Sequence, residues 1–156
     1  MSRRATYASA TPLTVALADA LHAGAAGAVL SAVPSTTVTL LRRESLLDGA
    51  IAARSIVLRD EERRLPLLAA AVPVHLALSY GWAVPMAALL PRRATVPAAV
   101  AAALGIAALD LGLIARALPR IRALPQGRQW ADHVAYGLVV GAVVRRRRLR
   151  RAAGAP

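Results

Sequence analysis

The sequence contains no cysteine, which excludes disulfides, thiolate metal sites and cysteine nucleophiles together. Lysine is absent too, since every one of the 20 basic residues is arginine. Aromatic residues are scarce at 3%, and aspartate and glutamate together number 8. No GxSxG, HExxH, HxxxH or phosphate-binding loop occurs, so the usual local signatures of serine hydrolases, zinc peptidases and nucleotide-binding proteins are missing. Asp19-Ala-Leu-His22 has the i, i+3 form of a carboxylate-histidine iron motif. It occurs once, however, and no glutamate falls inside an apolar stretch to complete a di-iron set.

What the chain does have is apolar length. Of 156 residues, 57% are hydrophobic and the mean hydropathy is +0.50, more than a soluble domain of this size has use for. Four stretches stand out, at about 13–41, 65–90, 96–118 and 129–144. A helix needs about 20 residues to cross the hydrocarbon core, and the first three meet that length. The stretches lack the strict alternation of barrel strands, and only helices or closed barrels satisfy their backbone in lipid. The fold class expected is all-α: one membrane domain over 1–156, built as a bundle of four transmembrane helices. Residues 42–64 carry Leu46, Leu47, Ala50, Ile51, Ala53, Val57 and Leu58 on one helical side, after a Ser45/Asp48 capping box. That pattern predicts an amphipathic helix at the membrane interface, or packed on the bundle, between the first two spans.

The arginines lie between these stretches, so the formal charge of +12 and pI near 11.8 speak of topology before nucleic acid. Met1 to Thr37 has the outline of an export signal. Ala5-Thr6-Tyr7 follows the Arg3-Arg4 pair where that signal wants bulky apolar residues, and an uncleaved first helix is expected. Four spans divide the arginines evenly between the two sides. The run RRRRLRR at 145–151, directly abutting the last span, breaks the tie and puts both termini in the cytoplasm, in a cytoplasmic-membrane protein. This basic tail, 145–156, is expected to meet anionic lipid and no nucleic acid. Pro34 turning the first stretch back as a re-entrant hairpin is the rival topology, with three true spans.

Small residues suggest where helices touch. Ala20, Gly24 and Ala28 recur every four residues, as do Gly27, Ser31 and Ser35, and Gly137 with Gly141 forms a GxxxG. These surfaces serve packing within the chain, a homo-oligomer or a membrane partner protein. Pro66, Pro73 and Pro85 divide the second span and shape its packing. Tyr80, Trp82 and Trp130 are read as interfacial anchors or bundle packing.

The polar residues inside the spans carry the functional signal, because ionisable groups at that depth need a partner or a water-filled cavity. Following the chain back and forth brings Asp110, Asp132, His133 and Tyr136 to one level, with Ser35, Thr36 and Thr37 at the end of the first span. His75, with Ser79 one turn on, enters from the same side. A polar cluster near the outer face follows, while Asp19 and His22 form a second candidate pair toward the opposite face. The plain reading makes these groups helix-packing glue, with Asp132 capping the last helix and His75 bonded to a backbone carbonyl. A proton or solute pathway, a metal site and a histidine base are the sharper readings. No metal or cofactor is assigned. The functional expectation is a structural or accessory membrane component or a minor transporter; the alternative is a membrane-embedded enzyme using a His/Asp pair. A continuous polar path from the cluster to Asp19 and His22 would mark a transporter, and a closed pocket with a histidine bonded to a carboxylate an enzyme.

The segments GAAGAVLSAVPSTTVTLL, VHLALSYGWAVPMAALLPRR, ALDLGLIARALPRIRALPQ and QWADHVAYGLVVGAVV together resemble the small multi-pass membrane proteins of GC-rich actinobacteria that have no assigned activity. The likeness runs from about Ala20 to Arg148, and the all-arginine, alanine-rich composition agrees with it. It implies location and architecture, and carries over no catalytic residue.

Overall fold

A computed structural model describes residues 12–46 and 64–154, with the backbone alone for 64–68. Their regular structure is all helical, with no strand among them. The order is α1 (Pro12–Leu30), α2 (Val33–Leu41), α3 (Arg64–Leu89), α4 (Thr95–Ala107), a short α5 (Pro119–Arg122) and α6 (Gln126–Ala152). Three helices are long and apolar enough to cross a membrane: Pro12–Leu41, Ala69–Leu89 and Thr95–Ala117. The last helix does not reach that standard. The amphipathic helix expected between the first two spans falls on 47–63 and lies outside the described residues, as does Asp48 of its capping box.

Local chemistry explains where each helix bends or stops. α1 and α2 form one 30-residue helix with a break at Ser31 and Ala32. Pro34 has no N–H to give the preceding turn, but the backbone at Ala32 stays right-handed and Thr36 N–H again bonds Ala32 O at 2.9 Å. The chain therefore kinks at Pro34 where a re-entrant hairpin would reverse. α2 ends in a Schellman turn, Glu44 N–H to Thr39 O at 3.0 Å, which forces Arg43 to φ +56°, a position that usually takes glycine. α4 starts at Thr95, whose buried hydroxyl bonds Pro91 O at 2.8 Å. It then loosens into a π-turn at Ala108–Leu113 and tightens to a 3₁₀ turn at Ile114–Ala117. Leu118, held extended ahead of Pro119, ends it.

α6 is the hub, packed chiefly against α1 and α4 and, at its start, against α2. Contact with α4 depends on glycine. A methyl group at Gly137 would sit 2.8 Å from Ala103 Cβ, Ala99 O and Val100 Cα, and one at Gly141 would sit 2.8 Å from Ala99 Cβ. Two backbones approach this closely only where side chains are absent, so the GxxxG joins helices within one chain. Gly24 and Gly27 act alike, the first under the ring of Tyr80 and the second under that of Tyr136. Ala20, Ala23, Ala83, Ala99, Val140 and Val144, each at most 1% exposed, fill the middle. Outward, large apolar residues such as Leu21, Leu113 and Leu89 are bare, as lipid-facing positions are.

Candidate functional site

At the end of the molecule where α2 stops and α6 starts, a cavity of about 610 Å³ opens between α1, α2, α3, the π-turn and α6. Ser35, Thr36, His75, Asp110, Asp132 and His133 line it, together with Ser79, Gln129 and Tyr136. The volume falls within the range of small-molecule sites, and apolar walls with a few convergent polar groups are their usual make-up.

Asp132 lies six residues inside α6, which begins at Gln126, and so it cannot cap its own helix. It caps another one. Ser35 sits in the first turn of α2, just past the break, where backbone N–H groups lose their intrahelical acceptors. Its N–H donates to Asp132 Oδ1 at 2.9 Å. The carboxylate is thus bonded to an orphaned donor at the positive end of a helix segment. The Ser35 hydroxyl turns back to Ala32 O at 3.3 Å.

His133 faces two acceptors. Its Nδ1 lies 2.8 Å from Gln129 O, four residues back, and its Nε2 lies 3.4 Å from Asp110 Oδ2. A carbonyl oxygen only accepts, so Nδ1 carries hydrogen. Nε2 is thereby aimed at the Asp110 carboxyl, and a proton held between the two would bind ring to carboxyl. Asp110 belongs to the π-turn, a distortion common at functional sites.

The remaining polar groups bond backbone. His75, on an exposed part of α3, donates from Nε2 to Ala28 O at 2.7 Å. The Tyr136 hydroxyl, buried, donates to Ser79 O. Each of these crosses from one helix to another and fixes the cavity wall.

Asp19 and His22 are not paired with each other. His22 is exposed and bonds Ala18 O of its own helix at 2.8 Å. Asp19 is 1% exposed and receives three bonds from the basic tail: Arg147 Nε to Oδ1 at 2.7 Å, and Arg151 to Oδ1 at 2.7 Å and Oδ2 at 2.6 Å. The hydrogen bond to Asp19 holds the Arg151 guanidinium above its ordinary value. Arg148 forks onto Leu90 O at 2.9 Å and Ala87 O at 3.1 Å, closing the end of α3. Sequence reasoning missed these contacts, because a charge run after an apolar segment reads as a solvated stop signal. At the cavity end, Arg128 binds exposed Glu44 through both nitrogens and reaches Thr39 Oγ1 at 3.3 Å. Bonding to Arg128 holds the Glu44 carboxyl below the usual glutamate range.

Between the cavity and Asp19, the described interior is the packed alanine and valine layer around Ala23, Ala83 and Val140. Among the described residues, no group of three or more histidine or acidic side chains is placed to hold a metal ion. The chain matches no family model, no curated protein and no solved structure.

Proposed function

We propose that this chain is an accessory component of the cytoplasmic membrane that receives a small amphipathic molecule in the cavity between α2 and α6. In this reading α6 is a fourth span, residues 42–64 lie at the outer interface, and both termini are cytoplasmic. The cavity carries the reading, since polar groups from four helices converge on one apolar-walled space of about 610 Å³. The packed layer beyond it favours binding over conduction, because among the described residues the polar path a transporter needs does not reach Asp19. α6 fails on composition alone, and most of its costly groups are met from within: His133 by Asp110, Arg147, Arg148 and Arg151 by α1 and α3, and Asp132 in part by Ser35.

Exposed Arg92, Arg93, Arg145, Arg146 and Arg150 gather at the tail end and suit anionic headgroups. The GxxxG seam is occupied within the chain, so a homo-oligomer or partner protein would use another face. A membrane-embedded enzyme is the second reading, favoured by the His133–Asp110 pair. Among the described residues no hydroxyl is bonded to His133 as an activated nucleophile would be.

Two measurements test this. Reporter fusions after Arg43 and after Arg151 should give opposite signals, and matching signals would remove α6 as a span. Trp82 lines the cavity and Trp130 does not, so in a Trp130→Phe background a bromoalkyl amphiphile should quench Trp82 saturably in nanodiscs. Quenching that only rises with bilayer loading would remove the binding site.

A further inference from the structure

The cavity differs from the rest of the protein in the ionisable side chains it presents. The chain has a formal charge of +12, yet no arginine lines the cavity among the described residues. Its two carboxylates are not equivalent. Asp110 faces the imidazole of His133, with Nε2 at 3.4 Å from Oδ2. Asp132 is met at Ser35 alone, whose backbone N–H bonds Oδ1 at 2.9 Å and whose hydroxyl also lies beside the carboxylate. Among the described residues no guanidinium or imidazole lies within ion-pair distance of it. His75, the nearest candidate on α3, spends its Nε2–H on Ala28 O. A helix terminus supplies only a fraction of a positive charge, so the cavity keeps a carboxylate without a full counter-charge in surroundings where such a group is costly. The buried Asp19, by contrast, is met by two guanidiniums, those of Arg147 and Arg151.

The walls give the rest of the ligand. Val29, Val72, Leu76, Leu78 and Ile106 are apolar, and Trp82 adds an aromatic face, a surface that attracts cations as well as hydrocarbon. We infer that the cavity binds an amphipathic organic cation, with its ammonium head against Asp132 and its apolar body along Leu76 and Trp82. The inference rests on the reading that the cavity admits a ligand, and adds the chemical class.

The experiment uses the full chain carrying Trp130→Phe, in nanodiscs of zwitterionic lipid, and one bromoalkyl chain ending in ammonium, hydroxyl or carboxylate. Saturable quenching of Trp82 is read for each. The ammonium should bind about tenfold more tightly than the alcohol, as a desolvated charge-assisted contact allows, and the carboxylate most weakly. Asp132→Asn keeps an oxygen for the Ser35 N–H and removes the charge. In it the ammonium and alcohol should come within about twofold of each other. Equal affinities in the unsubstituted cavity, or a preference for carboxylate, overturn the cation assignment and leave the cavity reading in place. An ammonium preference that survives Asp132→Asn also overturns it. No saturable quenching by any of the three removes the cavity reading, and this inference with it. Should Asp132→Asn fail to fold, the order of the three head groups in the parent decides alone.

Discussion

Asp19 and Asp132 are both carboxylates set among apolar helices, and the protein treats them differently. Asp19 is sealed from solvent and takes three hydrogen bonds from two guanidiniums. Asp132 stands half-buried on a cavity wall, met by the N–H and hydroxyl of Ser35 and by no guanidinium among the described residues. At the tail end the charge is neutralised, which leaves nothing for a ligand to do and ties α1 to α6. At the cavity end it is only partly compensated. A polar residue within a span is therefore a poor guide to function until its partners are counted, because a full set of partners marks a structural tie.

The largest expected effect breaks the tail end. Replacing Arg147 and Arg151 together by alanine leaves the buried Asp19 carboxylate unpaired, and should destabilise the protein by about 3–5 kcal/mol, read by denaturant unfolding in detergent. Adding Asp19→Asn should restore more than half of the loss. A double variant as stable as the parent would make the tail an exposed stop signal and erase the contrast.

The layer that separates the two ends comes next. Gly141→Leu drives a side chain into Ala99 and Val96 and should cost about 1–3 kcal/mol. Gly105→Leu on α4, with no atom near its position, should leave the melting temperature unchanged or slightly raised. Equal effects would show that α4 and α6 do not meet at this seam.

The smallest effect sharpens the contrast at the cavity. Asp132→Ala removes the acceptor for Ser35 and should cost about 1 kcal/mol, while Asp132→Asn, which still accepts, should cost less than about 0.5 kcal/mol. A large loss in the asparagine variant would place Asp132 in the same class as Asp19.

Hydropathy alone makes the three apolar helices and the all-helical class readable, because lipid-facing surface needs long apolar runs. Their back-and-forth order also predicts which polar residues share a level, and the structure sets Ser35, His75, Asp110, Asp132 and His133 around one cavity. The backbone carbonyl expected as partner of His75 is found in Ala28, but the other pairings were not readable. That Asp132 meets the N–H of Ser35 depends on the break at Ser31–Ala32, and Pro34 signals that break without saying whether the chain bends or reverses. Counting apolar residues puts the start of the last helix near Gln129, whereas Pro125 starts it at Gln126, and three residues are enough to turn an expected cap into an interior group. Asp110 meets His133 from within a π-turn, and no residue in ALDLGL announces that geometry.

The bond between Asp19 and Arg147 spans 128 positions of sequence, and a chain is made from its N-terminus. Asp19 must therefore enter its helix long before either guanidinium exists. Until then its carboxylate has to stay in water, keep a proton or be sheltered by the insertion machinery, and α1 cannot settle. Arrival of the arginines ends that wait and closes α3 through Arg148 at the same time. The tail thus acts as a clasp in time as well as in space, and a nascent chain stopped before Arg147 should remain loosely assembled with its apolar segments already inserted.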